Sequence, residues 1–181
     1  MGRDELVAIV QAARDRDETP DLTDVDLRGA DLSRIDLAGA DLSWANLSLA
    51  NLSGADLSQT DLTEADLIGT VLTRANLSGA CLKEADLGTV QLQQANLAQA
   101  DIEWANLLQG NLQGATLTRA NLYGCNLGEA NLQDADLQGA DLGGTDLTAA
   151  NLSGANLKNV VYDDRTRWPG DKRLPPHLLN R

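Results

Sequence analysis

The sequence predicts an all-β solenoid whose chain bends through about 90° every five residues, and three observations lead there. A leucine occupies every fifth position from Leu22 to Leu157. Of these 28 positions only one, Ile102, departs from Leu, and no residue is inserted or lost between them. Two residues before each Leu sits a small residue, usually Ala, as at Ala30, Ala40, Ala45, Ala50 and Ala55. Between the two stands Asp or Asn in most units, and the remaining two positions are rich in Gly, Ser, Thr and Gln, as in Ser53-Gly54, Ser78-Gly79, Gln113-Gly114 and Ser153-Gly154.

A period of five fits neither regular element. In an α-helix five residues advance about 500°, so successive leucines sit about 140° apart and spiral round the rod. In a flat strand an odd spacing puts successive leucines on opposite faces. A column this regular must nevertheless be buried. The conflict disappears if the chain turns a corner after each unit. Four units then close a square coil with every Leu on the axis, the small residue inward beside it and the Asp or Asn outward. The last two residues make the corner, where turn-forming residues belong.

The unit A-(D/N)-L-x-x, uninterrupted over residues 20–159, resembles the repeat of the pentapeptide-repeat family. The resemblance implies a right-handed quadrilateral parallel β-helix. Its 28 units predict seven coils. At a strand spacing of ~4.8 Å the rod is ~34 Å long. A core of one Leu per side, with Ala beside it, needs no Phe, and the chain has none.

Three segments follow: an N-terminal capping helix in 1–19, the rod in 20–159 and a C-terminal capping tail in 160–181. Residues 4–15 read as a short helix because Leu6, Ile9, Val10 and Ala13 form one stripe. Acids open it and Arg14 and Arg16 lie near its end, in keeping with the helix dipole. An open β-helix end exposes unpaired backbone and bare leucines, so a covering helix is expected there. After Leu157 the cadence runs one unit more, through Val160-Val161-Tyr162. Asp163 to Pro169 is expected to break it, and Pro175-Pro176 excludes a helix beyond. Tyr162, Trp168, Leu174, Leu178 and Leu179 are candidates for a lid. The Tyr162…Thr166-x-Trp168-Pro169 run is similar to the ends of cyanobacterial members of the family.

Sides are numbered by unit within a coil, with coil one starting at Asp21. Large apolar corner residues then fall on two corners only. Trp44, Trp104 and Tyr123 lie between sides one and two, and Leu49, Ile68 and Leu108 between sides two and three. All six flank side two, whose central column is Asp26, Asn46, Asp66, Asp86, Asn106, Asn126 and Asp146. Aromatic and aliphatic residues gathered on one face mark an interface. Side two is therefore the expected contact surface, with Asp26, Asp66, Asp86 and Asp146 between the apolar edges. A second copy of the chain is one candidate partner. Scatter over tolerant corners is the competing explanation.

The net charge is −13, and the rod carries it, with 19 acids against 6 bases. That argues against direct binding to nucleic acid or an anionic membrane. The outward Asp21, Asp41 and Asp61 form a like-charge column, which costs energy. A cation or a basic partner would relieve it, as would hydration alone; Asn dilutes other columns. No apolar run approaches the ~20 residues of a membrane span. Cys81 falls at an outward position and Cys125 at an inward one, two coils apart on different sides. They are beyond disulfide reach, and free thiols suit a reducing cytoplasm.

Nothing in the sequence points to catalysis, a metal or a cofactor. The single histidine, His177, lies in the Pro-rich tail, which leaves no His-based triad or His-rich zinc site. There is no phosphate-binding glycine motif. Carboxylates abound, but on a convex rod with no pocket to shift their pKa. The expected function is a non-catalytic interaction module. The alternative comes from the resemblance: some family members imitate duplex DNA in shape and charge and inhibit or protect DNA gyrase. B-DNA carries one charge per ~1.7 Å, about 20 over this length, so −13 is of the same order. Those members commonly have Phe at central positions, a C-terminal dimerisation module and, in some, loop insertions; this chain has no Phe, no insertion within the repeats and a short Pro-rich tail.

Overall fold

In the computed structural model, which describes residues 1–171, the outward residue of each unit bridges in parallel to the residue twenty further on. These bridges run from Asp21↔Asp41 to Asp146↔Arg167 and form four ladders, one per side, each unit contributing a single ladder residue. The result is a four-sided β-helical solenoid. Of the repeat-column leucines and Ile102, all are buried except Leu152 in the last coil, which is half-buried.

The pentad satisfies all five of its backbone N–H groups, which is what an element without conventional strands requires. Around Leu87, the Leu87 amide donates to the Asn106 carbonyl of the next coil at 2.7 Å, and the Asp86 amide donates to Ala65 of the previous coil at 3.0 Å. The Thr89 amide reaches Leu108 at 2.9 Å, and the Val90 amide closes the corner on Leu87 at 3.1 Å. That leaves the first corner residue, and the Asp86 side chain accepts its amide: Gly88 N–H to Oδ1, 3.0 Å. Every Asp and Asn at the outward position of the rod makes this local bond, 24 in all, from Asp21 to Asn156. The four other residues there, Val71, Cys81, Gln91 and Thr116, have no such bond. Asp or Asn is thus selected as an Asx turn, a role the sequence analysis did not assign.

Asn adds what Asp cannot. The Asn121 amide group donates to Asp101 Oδ1 of the coil before at 3.0 Å, and Asn126 donates to Asn106 in the same way at 3.0 Å. Replacing Asn121 by Asp keeps the Asx turn but removes this donor and stacks three carboxylates, at 101, 121 and 141. Asn121→Asp is expected to lower the unfolding free energy by about 1–2 kcal/mol. The repulsive part should fade in high salt, as urea titrations at two ionic strengths will show.

The second corner residue has a positive φ in all 28 corners, from +56° to +73°. Glycine fills 10 of them, and residues as bulky as Trp44, Leu49, Thr89 and Trp104 fill the rest. The left-handed region costs an L-residue roughly 1 kcal/mol, most for a β-branched one. Thr89→Gly is therefore expected to raise stability by about 0.5–1 kcal/mol, read as a higher urea midpoint at unchanged slope.

At the N-terminus α1 (Arg3–Arg14) buries Leu6, Val10 and Ala13, and Leu6 and Val10 join the core that begins with Leu22 and Leu27. Arg14 grips Asp36 with both terminal nitrogens, at 2.9 and 2.8 Å. At the other end the five-residue cadence breaks after Tyr162, but the coil itself goes on. Residues 161–168 continue over sides one and two with one extra residue: Val161 bridges Asp141, and Arg167 bridges Asp146. The Asp163 carboxylate absorbs the insertion by accepting the amides of Gly144, Arg165 and Thr166. The ion pair with Arg165, then the Gly144 amide, hold its pKa down to about 2. Trp168 is buried, and Tyr162 packs edge-on against it at 5.7 Å while staying exposed. The proposed lid residues Leu174, Leu178 and Leu179, with Pro175, Pro176 and His177, lie outside the described residues.

Candidate functional site

The twenty-residue register places the six apolar corner residues on the two edges of side two. Five are exposed: Leu49 at 67 %, Trp104 at 56 %, Trp44 at 54 %, and Ile68 and Leu108 to a lesser degree. Leu49, Ile68 and Leu108 form a ridge along the corner between sides two and three. They lie against glycines of the coil above: a Cβ built on Gly69 would meet Leu49 Cδ2 at 2.9 Å, and one on Gly128 would meet Leu108 Cδ1 at 3.1 Å.

The opposite edge is more ordered. The Trp104 indole lies over Gly124, where a Cβ would fall 2.4 Å from Cε3. Its ring meets Tyr123 edge-on, with centroids 5.5 Å apart. The Arg165 guanidinium lies 5.3 Å from the Tyr123 ring centroid and also donates to its hydroxyl. Tyr123 is consequently half-buried, and the C-terminal half-coil fixes one end of this edge. Arg165, a member of the cluster, was not singled out from the sequence. The sequence carried no signal for it: twenty-residue arithmetic puts Asp163, not Arg165, in the Tyr123 column, and only the extra residue found in the structure brings Arg165 to that corner.

Between the edges, Asp26, Asp66 and Asp86 have no cationic partner among the described residues; each accepts a backbone amide. Asp146 differs: Arg167 Nη1 lies 3.3 Å from its carboxylate, and its pKa is lowered against the opposing effect of partial burial by Thr148 and Arg167. Side two thus offers three unpaired carboxylates between apolar edges, with its C-terminal end already neutralised. Charge is unevenly spread round the rod. Sides one and two, with the corners that follow them, hold 14 acids and 2 bases; the other half holds 5 and 4.

The cysteines are far apart in character. Cys81 is half-buried, with its sulfur 3.2 Å from Thr63 Oγ1. Cys125 is buried in an Ala slot, its thiol on the Ile102 carbonyl, and burial pushes its pKa up to about 12. A thiol reagent at pH 8 is expected to label Cys81 in the native protein and Cys125 only after unfolding, as mass spectrometry of quenched samples will show. Among the described residues no three of His, Cys, Asp and Glu are grouped to hold a metal ion. No described helix is long and apolar enough to cross a membrane.

The family model for pentapeptide repeats matches eight copies, over residues 21–54, 50–88, 95–134 and 125–161. The chain belongs to the pentapeptide-repeat family. No curated protein matches it. Among solved structures, a pentapeptide repeat protein of Nostoc PCC 7120 is 38 % identical, over 51 % of this chain and 76 % of its own, with a TM-score of 0.50. HetL of Nostoc sp. strain PCC 7120, a pentapeptide repeat protein involved in heterocyst differentiation regulation, is 26 % identical over 89 % of this chain and 94 % of its own, TM-score 0.35. QnrB1, a plasmid-mediated fluoroquinolone resistance protein, is 17 % identical over 80 % and 92 %, TM-score 0.46.

Proposed function

We propose that this pentapeptide-repeat protein is a non-catalytic interaction module that holds a protein partner against side two. The observation that carries the reading is that Trp44, Trp104, Leu49, Ile68 and Leu108, the exposed large hydrophobics within the repeats, all stand on the two edges of one face; Met1, Val7, Val161 and Tyr162, also exposed, belong to the two terminal segments. Exposed indoles and aliphatics are the groups that anchor protein interfaces. The unpaired Asp26, Asp66 and Asp86 between them favour a partner segment that presents basic residues along with apolar ones. The free thiols suit a reducing cytoplasm.

A photocrosslinker placed at Leu49 is expected to capture a discrete protein adduct in cells of the native organism, and one at Gln99, on the far corner, is not. Equal adducts from both positions, or none from Leu49, would defeat the reading. Sedimentation separates the kinds of partner: a dimer lost in Trp104→Ser/Leu108→Ser identifies a second copy, and a monomer throughout identifies a foreign chain. The gyrase-mimic reading loses weight on the Asx turns. Each outward Asp of the rod already has a structural role as the acceptor of its own turn, so its presence does not by itself point to mimicry of DNA.

A further inference from the structure

The near-neutral half of the rod carries a feature that partner binding through side two does not use. On the corner between sides three and four, Arg34, Gly54 and Arg74 follow one another at twenty-residue intervals. Because Gly54 has no side chain, a notch of about 460 Å³ opens between the two arginines, walled by Ser33, Asn51, Ser53 and Thr73. The Arg34 stem runs beside it, with Cγ 3.6 Å from where a Gly54 Cβ would stand. Arg34 has no hydrogen-bond or ion-pair partner among the described residues. Arg74 spends only Nε, on Gln94 Oε1 at 2.9 Å, which leaves its terminal nitrogens free.

The walls show what the notch excludes. The Ser53 hydroxyl donates to Asn51 Oδ1 and the Thr73 hydroxyl to Gln93 Oε1, so these donors are spent inside the protein. No carboxylate lines the notch. Arg34 also walls a second cleft of about 310 Å³ against α1, with Arg3 and Arg14. Asp36 lines that second cleft too and pairs with Arg14, so the unneutralised arginines of the corner are Arg34 and Arg74. Behind the walls Asp31 accepts the Ser33 backbone amide and the Asn51 side-chain amide, and its carboxylate is not among the groups that line the notch.

We propose that the Arg34–Gly54–Arg74 notch is a binding site for a compact oxyanion of the phosphomonoester type, held by the terminal guanidinium nitrogens of Arg34 and Arg74 from the coils on either side of Gly54. Arginine forks match the tetrahedral oxygens of such a group, and the donors the site still offers are those of Arg34 and Arg74.

Titration of the intact protein with inorganic phosphate, followed by amide chemical shifts in 15N-labelled samples at constant ionic strength, tests this. Saturable shifts are expected at Ser53, Gly54, Arg34 and Arg74, with chloride producing none of comparable size. The Arg34→Ser/Arg74→Ser variant should lose them while keeping the wild-type spectrum elsewhere, which verifies the fold. Arg34→Lys/Arg74→Lys should retain the charge but bind more weakly. Shifts no larger than those with chloride, or shifts that persist in the serine variant, would overturn the assignment.

Discussion

Leu87→Ala is expected to lower the unfolding free energy by about 2–5 kcal/mol, toward the upper end of that range for its type. Leu87 is fully buried on side two of coil four, with Leu67 and Leu107 in the coils on either side. The size of such a loss depends on how far the surroundings relax into the cavity. Here they are pinned: the Leu87, Asp86 and Thr89 amides are all bonded to adjacent coils, and those coils are bonded onward in the same way. Leu152→Ala provides the internal comparison, because Leu152 is only half-buried in the last coil. Urea unfolding should show a clearly smaller loss for it. Equal losses would mean that the coils do not hold the central column rigid.

The second large effect concerns Gly124→Ala. Gly124 has φ +70°, and an added Cβ would lie 2.4 Å from Trp104 Cε3. Two costs combine: about 1 kcal/mol for an L-residue in the left-handed region, and displacement of the indole from its seat. Gly39→Ala isolates the first, since Gly39 has φ +69° but nothing near its Cβ position. Gly124→Ala should lose about 1–2 kcal/mol more than Gly39→Ala, because the Trp104–Tyr123 edge contact and its packing go with it. Tryptophan fluorescence should shift to longer wavelength only in Gly124→Ala. If the two variants behave alike, Trp104 is not seated as described, and the ordered edge of side two loses its basis.

The C-terminal half-coil has a pH dependence set at Asp163. The folded pKa of Asp163 lies below its ordinary value, so its contribution is present above about pH 4 and is lost as pH falls toward about 2. Because Asp163 ties Gly144 to Arg165 and Thr166, the half-coil over sides one and two should loosen in that interval. The buried Trp168 reports this by its fluorescence in a protein with Trp44 and Trp104 replaced by Ser.

The period of five was enough to require a corner after every unit and a shared central column, because only a closed four-sided coil buries 27 leucines and one isoleucine together. The same arithmetic put Trp44, Trp104, Leu49, Ile68 and Leu108 on the edges of one face. Four things needed coordinates. The Asx turns follow from the distance between a side-chain oxygen and an amide two residues on, which periodicity does not encode. The positive φ at Trp44 or Thr89 is imposed by coil closure against local preference. The continuation through Arg167 and Trp168 depends on Asp163 absorbing one residue, and the notch between Arg34 and Arg74 on the absence of a side chain at Gly54. A repeat fixes what every unit shares; contacts between coils decide what single residues do, because residues twenty apart in sequence touch only after the chain has closed.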